Sequence, residues 1–323
     1  SMSHVPLAPI DQRALFILSL TVGVTLLLSI KRRLHGFVQK VSSEDLFATL
    51  KFLLVAVIIL PLLPDQTFGP LDVLNPRSIG YMVVLIAGVS FVGYVAIRMR
   101  GAGKGMVLTG LIGGLVSSTA VTLASASRAR QEPALTGDCA LAVMAASTIM
   151  VGRVLVLTAL VQRPLAEVLV VPLGAMMVAG LAVSVWAWRQ GMKSGEAEGQ
   201  LSVVNPFELT SAVKFALLYA GILLLSKAAH TYLGPQAILL TGALAGTTDV
   251  AAITLSMARL SGEGLSLEIA GTTVLIAVGS NTVIKGVLAA VTGGRDFGRR
   301  VAIGFGWMLG AGLLGLGWVW VGG

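Results

Sequence analysis

Long apolar runs separated by short polar segments dominate this sequence. A helix needs roughly 20 mostly apolar residues to cross the hydrocarbon core of a bilayer, and runs of about that length recur along the whole chain. They are too long for transmembrane β-strands and lack the alternation of such strands. The pattern predicts an all-α, polytopic bundle of about ten transmembrane helices. The predicted spans are 14–30, 46–63, 78–98, 106–128, 137–161, 165–188, 207–227, 235–259, 266–290 and 301–321.

Charged residues make up 12% of the chain, against roughly 25% in a typical soluble domain. A chain with so few charges cannot cover a water-facing surface. The net charge of +8 comes from basic residues at the ends of predicted helices and in loops, where positive-inside anchoring accounts for them. The expected partners are therefore membrane lipids, and nucleic acid is not expected.

Catalytic signatures are absent from the sequence. The single cysteine, Cys139, lies in an apolar neighbourhood, and the three histidines are scattered along the chain. No phosphate-binding loop, dinucleotide-binding glycine pattern or serine-nucleophile elbow is present. The sequence therefore predicts neither an enzyme nor a bound cofactor, and it argues against ATP-driven transport by this chain alone.

An internal repeat relates the two halves of the chain. Residues 108–126 align on 240–258 without gaps at a shift of 132, with eight of nineteen positions identical. The tryptophans Trp186 and Trp188 match Trp318 and Trp320 at the same shift. We predict two parallel four-helix repeats related by an axis along the membrane normal. The predicted units are 1–72 (two helices, with Ser1 and Met2 as an expression remnant), 73–189 and 203–321.

The two matching helices of the repeat carry the strongest candidates for an ion site. Asp249 lies near the middle of its span, where a carboxylate costs roughly 2.5–3.5 kcal/mol on insertion scales, so it should face the bundle interior or water. Neighbouring hydroxyl and amide oxygens are ligands that hard cations prefer, whereas the alternative is that these residues only pack helices. The predicted ion-binding residues are Ser117, Ser118, Thr119, Thr122, Thr247, Thr248, Asp249 and Asn281, with Asp249 as the candidate metal ligand.

Two intramembrane cations, Arg153 and Lys285, occupy matching positions in the repeat. One explanation is that their side chains extend to the membrane interface. Another is that one of them pairs with Asp249, so that substrate or proton binding competes with a salt bridge. A third is an anion site between the two cations. We predict that Lys285 and Arg153 act as gating residues or as charge partners.

Several blocks of this sequence resemble a family of bacterial membrane domains of unknown function, number 4010, which follow an MgtC/SapB domain in many proteins. These blocks are GLIGGLVSSTAVTLASASRAR, NPFELTSAVKFALLYA, TGALAGTTDVAAITLSMARL and NTVIKG, within about residues 40–310. The MgtC/SapB portion is not recognisable here, and only 14–30 resembles its last helix. The resemblance implies a multi-pass protein of the bacterial cytoplasmic (inner) membrane and a link to magnesium transport through the missing part.

The leading functional hypothesis is a secondary transporter or passive channel for a cation, with magnesium or another metal ion as the substrate. The transported ion and a second copy of the chain in a homo-oligomer are then expected as partners. The first alternative is a membrane module that regulates or scaffolds a partner and transports nothing. A further alternative is a carrier of a small organic solute, which the low aromatic content of 6% disfavours.

Overall fold

The structure of the protein, a computed structural model, describes residues 43–100, 106–189 and 209–322, together with Thr21. The chain divides into two units, Ser1–Phe47 and Ala48–Gly323. In the first unit the described residues are Thr21, which is helical, and the first residues of helix α1. The remaining described residues belong to the second unit.

Ten helices make up the described part of the chain, which contains no strand. Helix α1 continues beyond Leu53 through a π-helical turn, Leu54–Ile59, and a final short helix, Leu60–Leu62. The helices are α1 (Ser43–Leu53), α2 (Pro76–Arg100), α3 (Met106–Gln131), α4 (Thr136–Val161), α5 (Arg163–Arg189), α6 (Leu209–Ala228), α7 (Ile238–Thr248), α8 (Val250–Gly262), α9 (Leu267–Gly293) and α10 (Arg295–Gly322).

The prediction of an all-α bundle of about ten helices is confirmed. The predicted span 14–30 lies outside the described residues apart from Thr21. The predicted span 235–259 consists of two helices, α7 and α8, because the helix is interrupted at Asp249. Six segments among the described residues are long and apolar enough to cross a membrane, which makes the chain a multi-pass membrane protein.

Helix boundaries follow local signals in the sequence. Helix α9 begins after Ser266, whose side chain accepts a hydrogen bond from the backbone N–H of Ile269 at 3.3 Å, and Glu268 lies in its first turn. Both features favour a helix N-terminus. The helix ends at Gly294, which has φ of +87°, a conformation that glycine adopts without steric penalty.

The centre of the bundle is formed by α4 and α8. Helix α4 is the most buried of the long helices, and residues 250–258 of α8 are all buried. On one side, α5 packs on α10 through a reciprocal contact: Gly180 lies against Met308, and Gly312 lies against Met176. Both pairs are related by the shift of 132, as a two-fold relation between α5 and α10 requires. The division into two repeats as a whole stays a prediction.

Candidate functional site

Two helices are interrupted at equivalent positions. Helix α3 breaks at Ser117, whose backbone is extended (φ −159°, ψ 106°). Helices α7 and α8 are separated by Asp249, which has nearly the same conformation (φ −152°, ψ 122°). Ser117 and Asp249 are matched by the repeat alignment, 132 residues apart. Each of these two matching spans thus consists of two half-helices joined by one extended residue. The two halves of α3 are called α3a (106–116) and α3b (118–131).

The residue at each break caps the half-helix that follows it. Asp249 Oδ1 accepts hydrogen bonds from the backbone N–H groups of Ala251 at 2.6 Å and Ala252 at 3.1 Å. Ser117 Oγ accepts one from the backbone N–H of Ala120 at 3.2 Å. Because Ser and Asp are preferred N-cap residues, a new helix begins directly after each break.

The half-helices that precede the breaks end in carbonyl groups without a helical partner. Arg153 of α4 donates from Nη1 to the carbonyl oxygens of Leu115 at 3.0 Å and Val116 at 3.4 Å. Asn281 of α9 donates from Nδ2 to the carbonyl oxygen of Gly246 at 2.9 Å. In each half of the chain, the helix that comes after the broken span, α4 or α9, therefore supplies a polar side chain to the end of the half-helix that precedes the break.

Glycines allow the broken helices to approach their neighbours closely. A Cβ atom added at Gly114 of α3 would lie 2.6 Å from Cα of Ala146 in α4. A Cβ atom added at Gly246 of α7 would lie 2.6 Å from Cα of Ala277 in α9. Gly114 and Gly246 are also matched by the repeat, so both breaks are held against a neighbouring helix by the same small-residue contact.

The two breaks meet at a polar cavity of about 80 Å³. This is several times the space that a single water molecule needs, about 10–15 Å³ by the same kind of measure, so the cavity has room for a small ion or for several waters. Its wall is formed by residues 116–119 of α3, Met150, Arg153 and Val154 of α4, residues 248–251 around the second break, and Asn281 of α9. Asn281 is 5% exposed, and its Oδ1 atom has no hydrogen-bond partner among the described residues.

Lys285 lies fully buried behind the cavity wall, without an acidic partner in the described residues. Its Nζ atom donates to Ser118 Oγ at 3.1 Å and to Ser147 Oγ at 3.4 Å, and it contacts Met150 Sδ at 3.1 Å. Ser118 and Met150 both line the cavity. The ammonium group of this lysine is thus contacted by two hydroxyl groups and a thioether, and not by a carboxylate.

Neither cation forms an ion pair with Asp249 in the described part of the chain. Arg153 is engaged by the end of α3a, and Lys285 by hydroxyl groups. Arg153 and Asp249 nevertheless line the same cavity and interact electrostatically. The alternative in which one of the cations pairs with Asp249 is therefore not met in this arrangement.

Two of the predicted ion-binding residues do not line the cavity. The hydroxyl of Thr122 is buried and donates to the carbonyl of Ser118 at 2.8 Å. The hydroxyl of Thr247 donates to the carbonyl of Leu244 at 2.7 Å, on an exposed face of α7. Both hydroxyl groups bond to their own helix. The other predicted ion-binding residues form the cavity wall: Ser117, Ser118, Thr119, Thr248, Asp249 and Asn281.

The residues that sequence reasoning missed are those whose role depends on packing. Ser147 and Met150 contact Lys285 from α4, and nothing in their local sequence distinguishes them from other small or flexible residues of an apolar helix. The breaks themselves had a signal, because Ser117 and Asp249 are strong N-cap residues placed inside apolar runs.

These features define a class: a multi-pass helical membrane protein in which two interrupted helices, matched by an internal repeat, meet at a polar cavity. The chain belongs to the family described as Domain of unknown function (DUF4010), whose model matches residues 84–293. That range contains both breaks, Arg153, Asn281 and Lys285. A protein of Aquifex aeolicus (strain VF5) described as uncharacterized is 32% identical over 199 residues, covering 61% of this chain and 86% of the relative. No solved structure matches the chain.

Proposed function

We propose that this protein is a secondary transporter or passive channel of the bacterial inner membrane, and that a small ion crosses through the cavity between the two helix breaks. The observation that carries the proposal is the pair of breaks at Ser117 and Asp249, equivalent in the repeat and lining one cavity. Interrupted helices in matching positions are the usual way in which helical transporters build a substrate site at membrane depth.

The polarity of the cavity supports this proposal against a purely structural role. Irregular backbone at membrane depth is tolerated where it is buried in protein or lines a water-filled cavity. Here the irregular backbone lies beside a polar space with Arg153, Asp249 and the unpartnered Asn281 Oδ1 in its wall. A bundle that only scaffolds a partner has no need for such a space.

The nature of the ion is a separate question. The Asp249 carboxylate favours a cation, and magnesium transport and a link to MgtC/SapB domains come only from the family resemblance; each stays a prediction. A homo-oligomer also stays a prediction. What the breaks support is passage of an ion small enough for about 80 Å³.

A swelling assay on liposomes that contain the full chain tests transport whichever ion the protein carries. In thiocyanate salts, whose anion crosses lipid unaided, swelling reports cation entry. In potassium salts with valinomycin, which carries potassium, swelling reports anion entry. A protonophore in both series removes charge build-up. We expect protein-dependent swelling in one of the two series.

Two adjacent threonines at the end of α7 provide a matched pair of variants. Both residues are exposed, but Thr248 lines the cavity and Thr247 does not. Thr248→Phe should reduce swelling to the level of protein-free liposomes because its ring fills the cavity, and Thr247→Phe should swell like the unmodified protein. Absence of swelling in both series, or equal swelling of the two variants, would refute the proposal and favour the scaffold alternative.

A further inference from the structure

We infer that the ion bound between the two helix breaks is a small monovalent anion. This inference rests on the proposed function and adds the charge of the substrate to it. Three observations carry it: the balance of buried charges, the direction of the half-helices, and the hydrogen-bonding state of the oxygen atoms in the cavity wall.

The buried side chains around the cavity carry an excess of positive charge. Arg153 and Asp249 line the cavity, and Lys285 contacts two of its wall residues. With Lys285 protonated, two cations and one carboxylate leave a net charge of +1 among the described residues. Uncompensated charge is costly in a low-dielectric interior. A monovalent anion brings the sum to zero, whereas a divalent cation such as magnesium would raise it to +3.

The half-helices that begin at the cavity add positive potential. Helix α3b begins with Ser118 and Thr119, and α8 begins with Val250 and Ala251, and all four residues line the cavity. The first N–H groups of a helix lack helical partners and carry the positive end of its dipole, which favours anions. At these N-termini, Asp249 and Ser117 cap the N–H groups of residues 251, 252 and 120. The opposing negative ends of α3a and α7 are engaged by Arg153 and Asn281.

Several oxygen atoms of the cavity wall already accept hydrogen bonds. Asp249 Oδ1 accepts two backbone N–H groups, Ser117 Oγ accepts the N–H of Ala120, and Ser118 Oγ accepts from Lys285. A serine hydroxyl that accepts one hydrogen bond still has a proton to donate. The Ser117 and Ser118 hydroxyl groups are therefore suited to donate to an anion.

Asn281 provides an independent sign that a ligand is missing from this site. Its side chain is buried, and its Nδ2 atom is fixed on the Gly246 carbonyl, so Oδ1 is left as an acceptor without a partner among the described residues. An unpaired buried acceptor is costly. Its partner is a proton donor or a cation. With a bound anion, the donor is a hydroxyl of the anion itself or a water molecule of its hydration shell.

Thr119 allows a charge test that keeps the site intact. It lies in the first turn of α3b and lines the cavity, so a carboxylate there is compatible with the helix N-terminus. Thr119→Asp cancels the net charge of +1, and Thr119→Asn is the neutral variant of nearly the same size. In potassium nitrate, chloride or dihydrogen phosphate with valinomycin, we expect Thr119→Asp to swell about tenfold more slowly than Thr119→Asn.

The comparison of anions identifies the source of the proton donor. Faster swelling in dihydrogen phosphate than in nitrate and chloride assigns the donor to the anion, and similar rates in all three salts assign it to water; either result is consistent with anion binding. Swelling that occurs only in thiocyanate salts and is faster in Thr119→Asp would show that the ion is a cation. That result would overturn the inference of an anion, whereas the proposed function as an ion transporter would stand. No swelling in any salt would overturn the proposed function as well.

Discussion

The ammonium group of Lys285 donates a hydrogen bond to the hydroxyl of Ser118 at 3.1 Å, and this contact joins two helices whose residues are 167 positions apart in the chain. Lys285 belongs to α9 in the second half of the sequence, and Ser118 is the first residue after the break in α3. A fully buried cation is thereby connected directly to the wall of the cavity.

The stability of the protein should respond differently to changes at the two ends of this contact. Ser118→Ala leaves the buried ammonium with one partner fewer and should lower the free energy of unfolding by about 1–3 kcal/mol. Lys285→Met removes the buried charge together with its need for partners, so its stability should fall by less or rise. Thermal unfolding in detergent measures both.

Ser256→Ala serves as the control for this pair. Ser256 is fully buried, but its hydroxyl donates to the Ala252 carbonyl of its own helix, and such bonds add little to stability. A loss at Ser256→Ala as large as that at Ser118→Ala would contradict the role assigned to Ser118.

The close approach of α3 and α4 makes a second prediction. Gly114→Ala should destabilise the protein by about 1–3 kcal/mol, because the added methyl group meets the Ala146 backbone in a packed interior. Gly221→Ala in α6 is the matched substitution, since nothing lies within 4 Å of its added Cβ. It should be neutral or stabilise by up to about 1 kcal/mol. Chemical or thermal unfolding of the two variants decides the matter, and equal effects would argue against the helix contact.

Asp249 combines a capping role with a charge, and two substitutions separate them. Asp249→Asn retains a good N-cap, whereas Asp249→Ala removes the acceptor and should cost about 0.5–2 kcal/mol of stability. Both remove the carboxylate and so raise the positive charge at the cavity. For an anion we therefore expect faster flux of Asp249→Asn in liposomes, and abolished flux would contradict an anion. A variant Asp249→Asn that transports like the unmodified protein would remove this charge from the mechanism.

Arg153 should not be replaceable by lysine. Its guanidinium contacts two carbonyl oxygens at the end of α3a, and a lysine lacks the planar set of donors. We expect Arg153→Lys to be less stable than the unmodified protein by about 1 kcal/mol or more. Arg153→Met should lose more because two partly buried carbonyl groups remain unpaired. Unfolding midpoints of the three proteins test this order.

Much of this architecture is predictable from the sequence because its signals are local or periodic. Apolar runs locate the helices, and the alignment of 108–126 with 240–258 identifies Ser117 and Asp249 as equivalent. The breaks were not predicted because hydropathy is averaged over a window, and a single polar residue hardly changes that average. An N-cap residue inside each of two matching apolar runs is the signal that would have located them.

The partners of the cations could not be predicted in the same way. Lys285 and Arg153 match in the repeat, yet Lys285 contacts serine hydroxyls of α3 and α4 while Arg153 contacts carbonyls of α3a. Which groups surround a buried charge depends on how the helices pack. Thr122 and Thr247 show the same limit, since their hydroxyl groups bond to their own helices.

The most direct test of an ion path between the two breaks compares the same liposomes before and after chemical modification. In a Thr248→Cys variant, a water-soluble thiol reagent should reach the cavity and stop ion-driven swelling, whereas modified Thr247→Cys should continue to swell. The unmodified protein, whose sole cysteine Cys139 is buried, is the treated control. Full labelling of Thr248→Cys with unchanged swelling would contradict passage of the ion through this cavity.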